Sequence, residues 1–311
     1  MQFFHMPVLI REVIASLDCR QGGIYVDGTI GGAGHASAIL EATAPDGMLV
    51  GIDKDSQALI EAGKRLAAFG DRVILVKGNF ADIGSILVNL NINKVEGILF
   101  DLGVSSHQLD VPARGFSFSQ DAPLDMRMDQ GSGMGADTII NTYSEEALAD
   151  IIWEFGEERM SRRIARAIVA KRRLAPIGTT AELASVVASA MPGYMKRLKI
   201  HPATRTFQAI RIAVNHELES LKRGISAGIG VLKPGGRFSI ISFHSLEDRI
   251  VKETFVFEAK RCTCPVDMPV CVCGKQAQLK VITRKPIVPA EAEMNANPRS
   301  RSAKLRTAER I

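Results

Sequence analysis

Short apolar runs alternate with amphipathic stretches through the first third of the chain. IYVDGTI (24–30), GMLVGID (47–53), RVILVKG (72–78) and VEGILFDLG (95–103) are nearly continuously apolar and predict strands buried on both faces. Between them, HASAILEATA (35–44), SQALIEAGKRLAAF (56–69) and a shorter stretch near 82–90 repeat apolar positions at helical spacing. Strand–helix alternation of this kind predicts βαβ units, hence a mostly parallel sheet covered by helices.

The alternation then stops. Residues 104–135 are rich in Gly, Ser, Asp and Pro and read as loop. From Asp137 to about Leu232 only helical patterns follow, at 144–155, 158–174, 180–191 and 203–232. Ser144 with Glu145 and Glu146 behind it is a helix start, and Gly178-Thr179-Thr180 and Met191-Pro192-Gly193 punctuate the helix between them. The strand signal returns in LKPGGRFSIISFHS (232–245), read as a helix end, a Pro-Gly-Gly turn and a strand. LKVIT (279–283) and AKLRTAER (303–310) are two further candidate strands. The expected architecture is one α/β domain assembled from residues 1–104 and 217–311, with an all-helical domain inserted at 105–216. No internal repeat or low-complexity tract is evident.

Composition changes this picture little. Of 311 residues, 46% are hydrophobic and 23% charged, as in ordinary globular proteins. No apolar run approaches the roughly 20 residues that cross a bilayer, and no signal-peptide pattern opens the chain, so the expected location is cytoplasmic, with no membrane partner. The net charge of +5 is unevenly spread. Residues 1–105 carry eight basic against twelve acidic side chains, and residues 275–311 nine against three. A basic C-terminal segment suggests a polyanionic partner, with a plainly solvated segment as the alternative.

The first strand runs into DGTIGGAGH, with Gly28, Gly31, Gly32 and Gly34 within seven residues. Such a loop lets backbone approach a nucleotide-like ligand at the carboxyl end of a parallel strand. Asp53 ends the second strand, where a carboxylate can accept from two ribose hydroxyls. The G-x-G-x-x-G spacing of dinucleotide sites is missing. Asp27 at the strand end would repel a pyrophosphate but could help hold the cationic methionine portion of S-adenosylmethionine (SAM). VLKPGGRFSIIS resembles the lead into the fifth strand of Rossmann-like SAM-dependent methyltransferases, and the terminal pair of strands could supply their sixth and antiparallel seventh.

HMPVL (5–9), DGTIGGAGH (27–35), DLGVSSHQLD (101–110), RGFSF (114–118), PLDMRM (123–128), SFHSLEDR (242–249) and NPRSRSAKLRTAER (297–310) together resemble the bacterial ribosomal RNA small-subunit methyltransferase H family, also called MraW. The resemblance runs essentially end to end. It implies SAM-dependent methylation of the N4 amine of a cytidine in the decoding region of small-subunit rRNA. It implies SAM contacts from Ala33, Gly34 and His35 in the glycine loop, from Asp53, from Phe80 against the adenine, from Asp101, and from Gln108. Ala33 and His107 depart mildly from the family, which more often has Gly and Pro there, and Ala33 is expected to affect binding little. The expected partner is small-subunit rRNA, and a homodimer is also an expectation.

The cytosine amine is a poor nucleophile because its lone pair is delocalised into the ring. Catalysis therefore needs orientation toward the SAM methyl group and an acceptor for a proton. Asp101, at the end of the central strand, is one catalytic candidate. His244, in the SFHSLEDR segment with Ser242 and Ser245, is the second, with a structural hydrogen bond at a helix start as its alternative. The Ser/Asp-Pro-Pro-Tyr/Phe motif of other N4-cytosine methyltransferases is absent from DLGVSS. For RNA, Arg159, Arg162, Arg166 and Arg173 recur at helical spacing opposite Met160, Ile164 and Ile168, giving an arginine face that could meet phosphates or simply be solvated.

Cys262, Cys264, Cys271 and Cys273 form a C-x-C…C-x-C set. Four thiolates could bind zinc tetrahedrally, but this spacing is less favourable than C-x2-C. Reduced thiols, or a disulfide formed on oxidation, are the favoured readings, and no metal is assigned. Two rivals to an rRNA methyltransferase stay open here. A non-catalytic ribosome-assembly factor would bind SAM without transferring its methyl group, and an NAD-dependent dehydrogenase would need a different loop spacing.

Overall fold

The computed structural model describes residues 7–193, 201–265 and 270–311. His5 and Met6 of the HMPVL motif, and the side chain of His107, lie outside what is described. The chain divides into two compact units, one built from both chain ends, up to Gly103 and from Leu218 onward, the other from Val104–Glu217.

In chain order the first unit begins with α1 (Ile10–Leu17), β1 (Ile24–Asp27), α2 (Gly34–Ala42), β2 (Met48–Asp53), α3 (Ser56–Leu66), β3 (Val73–Lys77), α4 (Ile83–Asn89) and β4 (Val95–Asp101). The second unit carries α5 (Ser106–Asp110), α6 (Ala136–Thr142), α7 (Glu145–Gly156), α8 (Ser161–Arg172), α9 (Thr180–Ala190) and α10 (Thr204–Asn215). The chain returns to the first unit with α11 (Glu217–Val231), β5 (Leu232–Ser242), α12 (Ser245–Glu258), β6 (Leu279–Val281), α13 (Glu291–Ala296) and β7 (Lys304–Arg310).

The seven strands form one sheet in the order β3-β2-β1-β4-β5-β7-β6. The first five are parallel and β7 is antiparallel to both neighbours. Side chains alternate strictly across it. Tyr25, Leu49, Leu99, Ile241 and Leu305 join α1, α2 and α3 in one core, while Val26, Val50, Ile98, Phe100, Phe238 and Ile240 join α4, α11 and α12 in another. Both faces are covered, which is why the strands read as continuous apolar runs rather than as alternating ones.

Strand order reverses between β1 and β4, since β1 leads outward to β2 and β3 while β4 leads the other way to β5. A crevice forms at the carboxyl ends of strands at such a point. It puts the residues after Asp27 and Asp101 at the place where an open α/β sheet binds its ligand.

The structure adds helices α1, α6, α12 and α13 to the expected elements, and it departs from the sequence expectation at three further places. The Pro-Gly-Gly turn lies inside β5: the register skips from Val95↔Leu232 to Gly97↔Arg237, so residues 233–236 bulge out with Gly235 at φ 78°. The helix expected over 203–232 is broken at His216 (φ 51°), which caps α10 in the left-handed conformation. The loop expected over 104–135 contains α5.

The second unit has its own core, in which Ile140, Leu148, Ile152, Ile164, Ile168, Leu183 and Ile210 are fully buried. Ser144 caps α7 by accepting from Ala147 N, and Thr179 with Glu182 makes a reciprocal capping box on α9. Buried polar groups organise the long 111–135 segment. Arg114 donates to the carbonyls of Arg127 and Met128, and Asn215 accepts from Met128 N while donating to Met126 O. The RGFSF and PLDMRM stretches are thereby locked to α10.

Candidate functional site

Three carboxylates stand at the carboxyl ends of β1, β2 and β4. Each is tied to the glycine loop or to the residues that flank it. Asp27, 1% exposed, accepts from Thr29 N at 3.1 Å. Asp53 accepts from Gly31 N through Oδ2 and from Asp55 N through Oδ1, both at 2.9 Å. The backbone N–H of Asp101 donates to Thr29 Oγ1 at 2.6 Å, so one threonine ties β1 to β4. Gly31 (φ 46°) and Ala33 (φ 57°) both take the left-handed conformation that turns the chain into α2. Alanine pays roughly 1–2 kcal/mol there, which glycine avoids, a physical reason for glycine to be the commoner residue at that position. A side chain at Gly34 would collide with Pro7, because Cβ would lie 2.9 Å from its Cγ.

His35 opens α2 fully enclosed. Its Nε2 donates to the carbonyl of Val8 at 2.8 Å, which leaves Nδ1 facing Asp101 Oδ2 at 3.5 Å. Burial holds the imidazole below its ordinary pKa and pushes the Asp101 carboxyl up to about 7, Glu247 adding to the latter. The pair is thus arranged to share one proton. Asp101 Oδ1 is buried and has no hydrogen-bond partner among the described residues.

The three acids are costly as anions. Burial raises Asp27 to about 7, with the charges of Asp101 and Asp53 adding, and raises Asp53 to about 6, with Asp55 adding. A site that crowds carboxylates in low dielectric and leaves one acceptor oxygen unsatisfied fits a cationic ligand carrying hydroxyl and ammonium donors. It does not fit a pyrophosphate.

Phe80 follows β3 and is half-buried. Its ring packs on Phe100 with centroids 4.6 Å apart. It also leaves no room for a side chain at Gly224, whose Cβ would lie 2.6 Å from the ring. His244 caps α12. Its Nδ1 accepts from Glu247 N at 3.4 Å, its Nε2 lies 3.2 Å from Glu247 Oε1, and Glu247 Oε2 accepts from Phe243 N and His244 N. Ser242 is buried, with Oγ donating to Lys304 O.

Seven of the expected site residues, Ala33, Gly34, His35, Asp53, Phe80, Asp101 and His244, therefore lie in the first unit. His35 and Asp101 face each other, and the glycine loop bonds Asp53. Gln108 belongs to the second unit, where it is buried and its Oε1 accepts from Ser105 N at 3.1 Å. Thr29 and Glu247 are missed by the sequence reading. For Glu247 a signal exists, since an acid three residues after His244 and ahead of an apolar run is capping-box spacing. For Thr29 there is none.

The basic C-terminal segment is not a tail. Lys304 and Arg306 pair with Asp248, Lys275 with Glu258, and Arg310 with Gln278. Much of its charge is spent holding β6 and β7 to α12. Among the described residues, no helix is long and apolar enough to cross a membrane.

The profile of the MraW methylase family matches residues 2–311. A protein of Syntrophus aciditrophicus named ribosomal RNA small subunit methyltransferase H is 61% identical over 99% of this chain and 98% of its own length. One of the same name from Geotalea daltonii is 57% identical over 99% of both. Among solved structures, a putative rRNA methylase from Clostridium thermocellum aligns over 99% of this chain and 100% of its own, at 11% identity and a TM-score of 0.46. The chain belongs to the MraW methylase family, and its cofactor is S-adenosylmethionine.

Proposed function

We propose that this methyltransferase transfers the SAM methyl group to small-subunit rRNA, and within it to the N4 amine of a cytidine in the decoding region. The rRNA substrate is supported by the names of relatives at 57–61% identity over nearly the whole chain. The choice of an exocyclic amine is supported by one observation above all: the buried, unpartnered Oδ1 of Asp101 beside His35. Such an oxygen can accept from an amine N–H and so turn the nitrogen lone pair toward the methyl donor. It can then take the proton released on transfer.

The bound cofactor supplies an activated methyl group. Ala33, Gly34 and His35 would hold it by close backbone approach at the start of α2, Asp53 by its ribose hydroxyls, Phe80 by the adenine, and Asp27 and Asp101 by its positive charge. Gln108 enters this assignment on the family resemblance alone. Asp101 is the proposed catalytic residue. His244, engaged as a helix cap, acts through Glu247 as a positioning residue. A base in structured RNA must be flipped out or met unstacked, and the unit Val104–Glu217 is the proposed substrate-recognition part. Nothing observed supports the expected homodimer.

Tritiated SAM should label small subunits from a strain lacking this protein, and nucleoside analysis should recover the label in N4-methylcytidine. Label in another nucleoside would overturn the N4 assignment. SAM binding without any transfer would leave a non-catalytic assembly factor instead.

Asp53→Ala should weaken SAM binding. Hydrogen bonds to a charged group contribute about 1.5–3 kcal/mol, or about 10- to 150-fold in affinity. The upper end is expected, because Asp53 also holds Gly31 N–H in the loop. Calorimetry on a folded variant that binds as tightly as wild type would remove Asp53 from the site.

A further inference from the structure

The methyltransfer site leaves unused the densest group of metal-ligating side chains among the described residues. The Sγ atoms of Cys262, Cys264, Cys271 and Cys273 all lie within 4.8 Å of one another. Four of the separations are 3.4 Å (Cys262–Cys271), 3.6 Å (Cys271–Cys273), 3.8 Å (Cys262–Cys273) and 3.9 Å (Cys264–Cys271). Four sulfurs around one zinc at about 2.3 Å stand about 3.8 Å apart along every edge of the tetrahedron. All four thiols are free, and none is paired off with a single neighbour as a disulfide would require.

Backbone donors converge on the same sulfurs. Cys264 N–H points at Cys262 Sγ, Thr263 N–H at Cys273 Sγ and Val272 N–H at Cys264 Sγ, each at 3.4 Å. Such N–H···S contacts favour sulfur as thiolate, the form that binds metal, and fix its direction as outer partners of a metal site do. The basic residues Lys260, Arg261 and Lys275 stand in the same segment and offset the charge of a four-thiolate centre.

The surroundings need such a cross-link. No described residue between Ala259 and Gln278 is buried, and Val270 and Val272 are 69% and 72% exposed. The described part of the segment therefore has almost no apolar burial to offset the entropy of ordering it. Its ends are nevertheless held together, Gln278 N donating to Glu258 O at 2.8 Å and Lys275 pairing with Glu258 at 3.0 Å.

We propose that Cys262, Cys264, Cys271 and Cys273 bind one structural zinc ion that pins the connection between α12 and β6. Each thiol that binds gives its proton to solvent. Four sulfur ligands leave no open coordination position, so the ion takes no part in methyl transfer. The site revises the sequence expectation of a metal-free cluster. C-x-C spacing looked unfavourable along the chain, but the two pairs interleave in space, each sulfur of one pair closing on the other.

The test uses the full-length protein, purified under reducing conditions without chelator and with any metal-affinity tag removed. Elemental analysis should find about one equivalent of zinc, released when a mercurial blocks the thiols. Replacement by Co(II) should give the thiolate charge-transfer band and the intense visible bands of tetrahedral cobalt. Cys264→Ser and Cys273→Ser should each lose the metal yet keep wild-type SAM affinity. The cobalt spectrum of the wild-type protein decides the matter even where a variant fails to fold. Reduced protein that neither contains nor takes up zinc or cobalt, iron in place of zinc, or disulfides linking these cysteines would each overturn the proposal.

Discussion

Asp101→Asn is expected to lower the methyl-transfer rate by about 10²- to 10⁴-fold, the usual contribution of a positioned proton acceptor. The substitution keeps the shape of the side chain and leaves the backbone bond from Asp101 N to Thr29 Oγ1 untouched. What it removes is the ability to accept a proton at the buried Oδ1. The pH profile distinguishes this from a packing defect. Burial, then the charge of Glu247, puts the Asp101 pKa at about 7. An acceptor must be ionised, so activity should rise as pH increases through about 7 and level off above it. Bound SAM is cationic and favours the carboxylate, so the inflection in kcat should lie below that in kcat/KM. In Asp101→Asn the inflection should vanish. Single-turnover rates across pH, on a variant shown to be folded and to bind SAM, provide the measurement. A wild-type rate with an unchanged profile would transfer the acceptor role to another group.

The same crowding has a stability consequence that explains why these acids belong to a site and not to a scaffold. A carboxyl whose pKa is raised by folding binds more protons folded than unfolded between its two pKa values. The free protein accordingly loses stability as pH climbs from about 4 to about 7, through Asp27, Asp53 and Asp101 together. A cation placed among them reverses that loss.

Strands β1 to β4 were legible because burial on both faces forces continuous apolar runs, and their acidic ends because Asp27, Asp53 and Asp101 interrupt those runs. The break at His216 was not legible. Residues 203–232 keep helical periodicity throughout, and what ends α10 is a long-range demand, the capture of Met126 and Met128 by Asn215. The helix α1 escaped because it is only eight residues long and lies beside a Pro-containing apolar stretch. The Pro-Gly-Gly turn was placed correctly as a turn but wrongly as a boundary, since a bulge lets the strand continue past it. In the site, the pairing of His35 with Asp101 depends on tertiary geometry across 66 positions, which no local pattern records. That the basic C-terminal segment is folded onto the sheet was hidden for the same reason, because its partners Asp248 and Glu258 lie on another element.

The arginine face of α8 should separate RNA binding from SAM binding. Ile164, Ala165 and Ile168 are fully buried in the core of the second unit, while Arg159, Arg162, Arg166 and Arg173 are exposed. Arg166 pairs with Glu145 at 3.6 Å, but both side chains are exposed and the pair contributes little to stability. Arg172 differs: it is half-buried and donates to the carbonyls of Ile140 and Tyr143, so it is structural and must be left in place. Changing Arg159, Arg162 and Arg166 together to Glu should leave SAM affinity at the wild-type value and reduce rRNA methylation severely. Each lost phosphate contact should also flatten the log–log salt dependence of RNA binding by roughly 0.7–0.9. Three lost contacts, each replaced by a repelling carboxylate, should make the effect on RNA affinity large. Circular dichroism and thermal melting must first show that the variant is folded. RNA affinity and salt slope at wild-type values would then mean that the stripe is a solvated face and that phosphate recognition lies on other residues.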